Sequence, residues 1–396
     1  LKVDDPDEPF PDPITLSTYE NEVALIDVEQ KKWGFYVEET DNIVIKGFEI
    51  ANGKRAGIYL IDSSNAIIEK NKIHDFRDTS TVNIVVAGIR LVDKSNTNIV
   101  RFNEVYNSSG GISIRSDQAE YAMDNLVEKN YAHDIFWVNA SGAYDNKNAD
   151  CAVSNHTYNN TFRKNVFARC GDDGLDVYNS VSNLIEQNIV FNTGDGISGF
   201  PVNANGDGGG IKSSTGGGGG HVFRHNISFN NEVRGFDQSH IEASAPGNIY
   251  FNNVAFGNGE NGFFIEKDSS SPTILKNNIS FMNNQQNNSY KDIRVKTDAP
   301  IVSENNFWAD GNFPYANNDL VEINSLSGNP LFVGAPQAGI MVSAQQIGLN
   351  LDFESAEFGL MNGFKLQANS PAINAGQDVG LSFSGSRPDL GAYESS

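Results

Sequence analysis

Two short patterns of apolar and polar residues recur along most of this 396-residue chain. In the first pattern, an asparagine has an apolar residue three positions before it and usually another two positions after it. In the second pattern, which lies about 14 to 19 residues earlier, a glycine is followed by a large apolar residue and then by a residue that varies. The asparagines recur every 23 to 38 residues, and they are Asn71, Asn103, Asn130, Asn165, Asn188, Asn226, Asn253, Asn278 and either Asn305 or Asn306. The glycines are Gly57, Gly88, Gly111, Gly174, Gly210, Gly235 and Gly262.

Short strands that turn at Asn and Gly with this period predict a solenoid, in which each repeat forms one coil. The pattern does not favour an antiparallel sandwich, because such a fold needs tight hairpins. We therefore expect an all-β fold, a right-handed parallel β-helix of about ten coils. The asparagines would occupy one fixed turn position, adopt the left-handed conformation there and stack their amides from coil to coil as a ladder.

The repeats run from about residue 40 to about residue 310, so we predict one elongated β-helix domain over residues 1–310. The regular repeat is lost over residues 311–396, which predicts an irregular C-terminal extension that packs along the coils or caps their end. Long excursions interrupt the rhythm at 143–156 and 188–210. Insertions in a solenoid form loops on one side, which is often the binding side.

The variable residue of the second pattern should point away from the core, because successive side chains of a strand point to opposite faces. Asp176, Lys212 and Asp237 hold this position in three successive repeats. Neighbouring strands lie about 4.8 Å apart. These three side chains are therefore predicted to form a row on one exposed face of the helix.

The overall composition limits the partners of the protein. A formal net charge of -22 argues against nucleic acid, and it would also repel an acidic polysaccharide unless a cation or a local basic strip intervenes. No run of 18 apolar residues is present, so no membrane-spanning segment is predicted. The chain begins at Leu1 without a methionine or a signal peptide, which suggests a processed end. We expect the protein to act as a monomer.

Cys151 and Cys170 are the two cysteines of the chain. A single pair does not make a disulfide framework. The two residues either bond to each other across adjacent coils or serve as small core residues.

A group of carboxylates predicts a cation site. Asp172, Asp173 and Asp176 lie within five residues, and Asp150 belongs to the preceding repeat. Carboxylates this close repel each other unless a cation holds them, and ligands that are all oxygen suit Ca²⁺ better than zinc. The alternative is that these aspartates are ordinary turn residues.

Lys212 lies one repeat beyond Asp176 in a stretch that is otherwise Gly, Ser and Thr. A lysine beside a bound cation has a lowered pKa, so it could act as a general base near neutral or alkaline pH. The alternative is a solvated surface lysine. A metal next to a lysine base suits the removal of a proton α to a sugar carboxylate, followed by elimination.

Four short motifs carry a resemblance to a known family: NAD at 148–150, GDDGLD at 171–176, GGGIKS at 208–213 and RGFDQ at 234–238. In this order they resemble the pectate lyases of polysaccharide lyase family nine. The resemblance implies a parallel β-helix in which calcium is bound by Asp150, Asp172, Asp173 and Asp176, with Lys212 as the base. It also implies a pectic substrate, either pectate or rhamnogalacturonan, and a secreted bacterial protein that is extracellular, on the cell surface or periplasmic. The chain departs from the family pattern directly after Asp150 and directly after Lys212.

Further residues could line a groove for an acidic polysaccharide. Candidates to pair with uronate carboxylates are the cations Arg90, Arg234, Lys267 and Arg294. His221 and His240 could contact sugar hydroxyls, and Asp237 could either accept a hydrogen bond from Lys212 or cap its strand. Two other functions stay open: a polygalacturonase-like glycoside hydrolase, which would give saturated products, and a non-catalytic carbohydrate-binding β-helix.

Overall fold

The computed structural model describes residues 13–20, 22–78, 86–117, 121–138, 148–194, 206–214, 218–239, 245–266, 269–284, 292–296, 301–310 and 322–395. Within these residues the chain winds into stacked coils, and nearly every coil adds one strand to each of three parallel sheets, here named A, B and C. All strand pairs within the three sheets are parallel, and sheet C has ten strands in the described residues. The predicted all-β, parallel β-helix is therefore confirmed.

The strands are numbered in chain order. Sheet A contains β1 (Ile14–Ser17), β4 (Ile43–Lys46), β7 (Ile67–Glu69), β10 (Ile99–Arg101), β14 (Leu126–Glu128), β18 (Thr161–Arg163), β21 (Leu184–Glu186), β24 (Val222–Arg224), β27 (Ile249–Phe251), β30 (Thr273–Lys276), β33 (Ile301–Glu304) and β35 (Glu322–Ile323). Sheet B contains β2 (Ala24–Asp27), β5 (Phe48–Ala51), β8 (Lys72–His74), β11 (Glu104–Tyr106), β15 (Tyr131–Ile135), β19 (Val166–Cys170), β22 (Ile189–Phe191), β25 (Ile227–Phe229), β28 (Val254–Phe256), β31 (Ile279–Phe281) and β34 (Phe307–Trp308). Sheet C contains β3 (Trp33–Glu38), β6 (Ala56–Ile61), β9 (Ala87–Val92), β12 (Ile112–Arg115), β16 (Ala152–Asn155), β20 (Leu175–Tyr178), β23 (Ile211–Ser214), β26 (Phe236–Gln238), β29 (Phe263–Ile265) and β32 (Ile293–Val295). A small fourth sheet pairs β13 (Ala122–Met123) with β17 (Thr157–Tyr158), and a 3₁₀ turn spans Asn362–Phe364.

The predicted asparagine ladder runs from Asn71 to Asn306. In each step the Nδ2 of one asparagine donates to the Oδ1 of the next at 3.0 to 3.1 Å, so the amides are buried and yet satisfied. The expected left-handed conformation falls one residue earlier, with φ of 50° to 60° at Lys70, Phe102, Lys129, Lys164, Gln187, His225, Asn252, Asn277 and Asn305. The asparagine is selected for its amide, and the bend is made by the residue before it.

The glycine of the second repeat pattern stands where successive coils approach most closely. A Cβ at Gly174 would lie 2.7 Å from the backbone oxygen of Gly210, and a Cβ at Gly210 would lie 2.7 Å from that of Gly235. Gly235 and Gly262 meet in the same way. A larger residue at these positions would push the start of the sheet C strand away from its neighbour.

The outer face of sheet B is apolar from β19 onward, and the C-terminal segment packs on it. The apolar side chains of the segment that contact this face include Phe332, Leu349, Phe358, Met361, Phe364 and Leu390. Those strands are therefore largely buried on both faces, which explains the wholly apolar runs of β22 and β28. Within the described residues, the apolar cluster that joins the C-terminal segment to sheet B includes no residue of sheet C.

Cys151 and Cys170 form a disulfide between consecutive coils. Of the two alternatives left open by the sequence, the structure shows the bonded pair. The bond joins the residue that follows Asp150 to the strand that ends just before Asp172, so it fixes two neighbouring turns to each other. In the described part of the chain, no helix has the length and hydropathy that crossing a membrane requires.

Candidate functional site

The predicted row of outward side chains lies on sheet C. Asp176 pairs in register with Lys212 across β20 and β23, and Lys212 pairs with Asp237 across β23 and β26. The predicted placement is therefore confirmed. The expected exposure is wrong, because Lys212 is only 8% exposed and Asp237 only 5% exposed. Among the described residues, Asp173 and Asp207 contact the amine of Lys212, and Arg234 contacts Asp237.

Three of the four predicted calcium ligands form a compact group beside this row. One carboxylate oxygen from each of Asp150, Asp172 and Asp173 lies within 4.8 Å of the others, and all three side chains are buried. Asp150 stands just before β16, and the other two stand just before β20, so the group spans two consecutive coils. Asp176 lies outside this trio, although its charge acts on Asp150 and Asp173.

Ionising all three carboxyls of the trio together is unfavourable in the protein alone. Burial, followed by repulsion from neighbouring carboxylates, raises the pKa of Asp150 well above its ordinary value. Burial likewise raises the pKa of Asp173 well above its ordinary value, although the charge of Lys212 opposes the effect. Burial raises the pKa of Asp172 to about 6 against the opposing effects of Lys212 and two backbone amides. Buried carboxylates that cost this much to ionise side by side, with oxygen as the shared donor atom, fit a bound Ca²⁺.

Backbone amides from both long insertions hold the carboxylates in place. Asp172 accepts hydrogen bonds from the amide of Asn148, at 2.7 Å, and from the amide of Asp207. Asp173 accepts a hydrogen bond from the amide of Gly209 at 2.8 Å. A Cβ at Gly209 would lie 2.7 Å from the same carboxylate oxygen, so only glycine permits this approach.

Lys212 is anchored at the edge of the trio by two carboxylates. Its Nζ donates to Asp173 Oδ2 at 3.0 Å and to Asp207 Oδ2 at 2.5 Å. Burial lowers the pKa of the Lys212 amine, but the charges of Asp173, Asp176, Asp172 and Asp207 outweigh burial and raise it well above its ordinary value. The lowered pKa expected from the sequence is therefore not produced by the protein charges alone.

Asp207 is the site residue that the sequence reasoning missed. It lies in the glycine-rich insertion, outside the register of both repeats, so no periodic argument assigns it to the row. Its side chain is 68% exposed and still reaches the buried Nζ of Lys212. The available signal was its position, an acid five residues before the lysine inside a stretch of glycines.

Arg234 and Asp237 form a pair next to Lys212. The Nη1 of Arg234 donates to Asp237 Oδ2 at 2.7 Å, its Nε lies 3.4 Å from a carboxylate oxygen of Glu260, and its guanidinium carbon lies 3.7 Å from the centre of the Phe264 ring. Burial raises the pKa of Asp237, and the charge of Arg234 opposes that effect. The hydrogen bond from Arg234 to Asp237 is a contact that neither of the two expected roles of Asp237 included.

His221 is not a substrate contact, and that prediction is wrong. Its side chain is buried within a second ladder, in which its Nδ1 accepts from the amide of Asn183 at 3.1 Å and its own amide donates to Asn248 Oδ1 at 3.0 Å. In the neighbouring coils this position holds asparagine, as at Asn160 and Asn183. Lys267 and His240 lie outside the described residues.

A family model described as "Right handed beta helix region" matches residues 33–240, which is just over half of the chain. The chain belongs to this right-handed β-helix family. The match covers all the residues of the acid trio and Lys212. Membership establishes the fold and its hand, and it leaves the reaction open because a β-helix is a scaffold on which different sites occur.

Individual relatives of this β-helix protein include lyases. The chain is 26% identical over 371 residues to pectate lyase L of Dickeya dadantii (strain 3937), covering 92% of this chain and 69% of that protein. The structure of pectate lyase Pel9A superimposes with a TM-score of 0.64 at 18% identity, covering 97% of this chain and 86% of that one. A rhamnogalacturonan lyase gives a TM-score of 0.56 at 15% identity, covering 88% of this chain and 87% of that one. The A-module of a mannuronan C-5 epimerase from Azotobacter vinelandii gives a TM-score of 0.51 at 12% identity, covering 81% of this chain and 91% of that one. The three structural likenesses concern the fold.

Proposed function

We propose that this protein is a calcium-dependent lyase that cleaves a galacturonate-containing polysaccharide by β-elimination. The observation that carries the proposal is the arrangement of Lys212 against the buried trio of Asp150, Asp172 and Asp173 on successive coils of one sheet. The similarity to pectate lyase L supports the same reaction class. The four motifs that resemble polysaccharide lyase family nine, which include all of these residues, also support it.

The trio supplies the ligands for the cation in this proposal, with Asp176 beside it as the fourth carboxylate. Bound there, calcium would neutralise the uronate carboxylate and make the neighbouring C5 proton more acidic. Asp173 and Asp207 hold the Nζ of Lys212 at the edge of the trio, next to the place where that carboxylate would sit.

Lys212 acts as the base in this scheme in its neutral form, which a cation on the trio would favour by offsetting the carboxylate charges that raise the pKa of the lysine. Its Nζ takes the C5 proton, the electron pair left behind forms a double bond between C4 and C5, and the bond from C4 to the glycosidic oxygen breaks. That oxygen then takes a proton from solvent. No water is added across the bond, so the product is unsaturated and no redox partner is needed.

Replacement of Lys212 tests its assigned role. We expect Lys212→Ala to abolish turnover of polygalacturonate or rhamnogalacturonan, while circular dichroism and the calcium affinity stay close to those of the parent protein. A matched control is Lys94→Ala, because Lys94 is an exposed lysine outside the row. Substantial lyase activity in the Lys212→Ala protein would remove this residue from the mechanism.

The relatives are consistent with an acidic polysaccharide as the partner and with a secreted protein, and we include both in the proposal. Arg234 remains a candidate for contact with the substrate. Its guanidinium already bonds to Asp237 and faces Glu260, so its first role in this proposal is to offset the buried charge of Asp237.

A further inference from the structure

The row that contains Lys212 continues along the whole of sheet C. Strand register aligns one outward side chain from each strand, so that a single line of residues follows the axis of the helix. In order, these residues are Tyr36, Tyr59, Arg90, Ser113, Val153, Asp176, Lys212, Asp237, Phe264 and Arg294. The acid trio and the lysine therefore lie on the same face as two tyrosines near the first coils.

Those tyrosines belong to a cluster of three aromatic side chains on the outside of the helix, here called the aromatic platform (Trp33, Tyr36 and Tyr59). The ring centres of Tyr36 and Tyr59 are 5.5 Å apart, and those of Trp33 and Tyr36 are 4.5 Å apart. Trp33 is 36% exposed, and both tyrosines are partly exposed. Aromatic stacks of the interior, such as Phe223 with Tyr250, are buried instead.

Two cations border the aromatic platform. The Nζ of Lys32 lies 5.1 Å from the Trp33 ring centre, and the guanidinium carbon of Arg90 lies 5.5 Å from the Tyr59 ring centre. Arg90 also faces Asp117 at 3.8 Å. Carboxylates lie near the tyrosines as well, since the charges of Glu38 and Asp62 act on Tyr36 and those of Asp117 and Asp93 act on Tyr59. The two cations offset part of this negative charge beside the exposed rings.

We propose that the aromatic platform is a distal subsite that binds pyranose rings of the same acidic polysaccharide whose cleavage is assigned to Lys212. This inference rests on the proposed function for its ligand class. Apolar C–H faces of sugar rings pack on exposed aromatic rings, while hydroxyls stay free for water or polar neighbours. Tyr59 is five strands from Lys212 in register, which is about 24 Å at about 4.8 Å per strand.

That separation gives the subsite a characteristic dependence on substrate length. A polysaccharide that lies along sheet C reaches both Lys212 and the aromatic platform, whereas a trisaccharide held at Lys212 is too short to reach Tyr59. Loss of the platform should therefore weaken the binding of polymer and leave the turnover of a short oligomer unchanged, because contacts made equally in the bound and transition states affect KM and not kcat.

The test uses Trp33→Ala and the double variant Trp33→Ala/Tyr59→Ala, each with and without Lys212→Ala. We expect the double variant to raise KM for polygalacturonate or rhamnogalacturonan by about tenfold, as for the loss of a central aromatic contact, with kcat and trisaccharide kinetics unchanged. Phe383→Ala is the matched control, because Phe383 is 40% exposed on the C-terminal segment and lies outside the row. The single variant retains the tyrosine stack and guards against a folding defect.

The same variants separate failure of the subsite from failure of the proposed reaction. Binding of the Lys212→Ala protein to polygalacturonate is measured by affinity electrophoresis, which needs no turnover. Retardation that depends on Trp33 and Tyr59 supports the subsite, even if no elimination product is ever found. Equal KM and equal retardation in parent and variants would overturn the subsite and leave the lyase proposal standing. An equal loss of activity on the trisaccharide and on the polymer would do the same.

Discussion

His221 provides a sharp prediction because it replaces asparagine in a buried ladder. Its Nδ1 accepts the amide of Asn183, and the ring donates to the backbone of Ser180, so both ring nitrogens of the neutral form are used. A second ring proton would point at the amide of Asn183, which is itself a donor. Burial accordingly lowers the pKa of His221 to about 3.

The sign and size of the effect follow from linkage. The unfolded chain binds a proton at this histidine below a pH of about 6.5, whereas the folded protein does not until about pH 3. Above pH 6.5, His221 therefore does not change the free energy of unfolding. Below that pH, it lowers the free energy of unfolding by about 1.4 kcal/mol for each unit of pH. At pH 5 the loss amounts to about 2 kcal/mol.

The change His221→Asn should remove this loss. Asparagine at this position can accept the amide of Asn183 through Oδ1, as Asn183 itself does for Asn160. The assay is urea unfolding of parent and variant at pH 8 and pH 5 in the presence of chelator. The quantity compared is the difference in the free energy of unfolding between the two pH values, because any packing loss from the smaller side chain cancels in that difference.

We expect the parent to lose about 2 kcal/mol more than the variant on going from pH 8 to pH 5. His156→Asn serves as the control, since the ring of His156 is exposed to water in the folded protein. Equal pH dependence in the parent and in His221→Asn would refute the buried neutral histidine. A large fall in kcat/KM on polymer in this variant would restore His221 as a site residue.

Two further predictions concern the acid trio. Asp173→Asn should weaken calcium binding at least tenfold by calorimetry, because it removes one of three clustered buried carboxylates; unchanged affinity would exclude Asp173 as a ligand. Gly209→Ala should lower kcat/KM at least tenfold, because the new Cβ would meet Asp173 Oδ1 at 2.7 Å and displace the carboxylate that holds Lys212. Gly334→Ala is its control, since a Cβ there meets nothing within 4 Å, and equal activity of the two alanine variants would contradict the proposed fit.

The periodic part of the structure could be predicted from the sequence, because equivalent positions of successive repeats pair across neighbouring strands of a solenoid. Once glycine and asparagine positions are aligned, Asp176, Lys212 and Asp237 must fall on neighbouring strands. The alignment leaves Asn305 and Asn306 as alternatives, and the structure places Asn306 in the ladder, because Asn306 accepts from Asn278.

The parts that escaped prediction depend on contacts outside the repeat. The amine of Lys212 contacts the carboxylates of Asp173 and Asp207, and Asp207 lies outside both repeat patterns. Histidine suggests chemistry and so predicts a groove contact for His221, whereas the structure shows its side chain in a second, buried ladder. The disulfide between Cys151 and Cys170 stayed open because it requires two turns to come close, which period alone does not determine.

The central claim is tested most directly by the ultraviolet absorbance of unsaturated uronate during incubation with polygalacturonate and, separately, with rhamnogalacturonan. Each incubation is run with calcium and with chelator. The account predicts that absorbance rises only with calcium, that it identifies the polymer, and that it is lost in Lys212→Ala. New reducing ends without absorbance would contradict the account in favour of a hydrolase, and binding without any product would contradict it in favour of a non-catalytic β-helix.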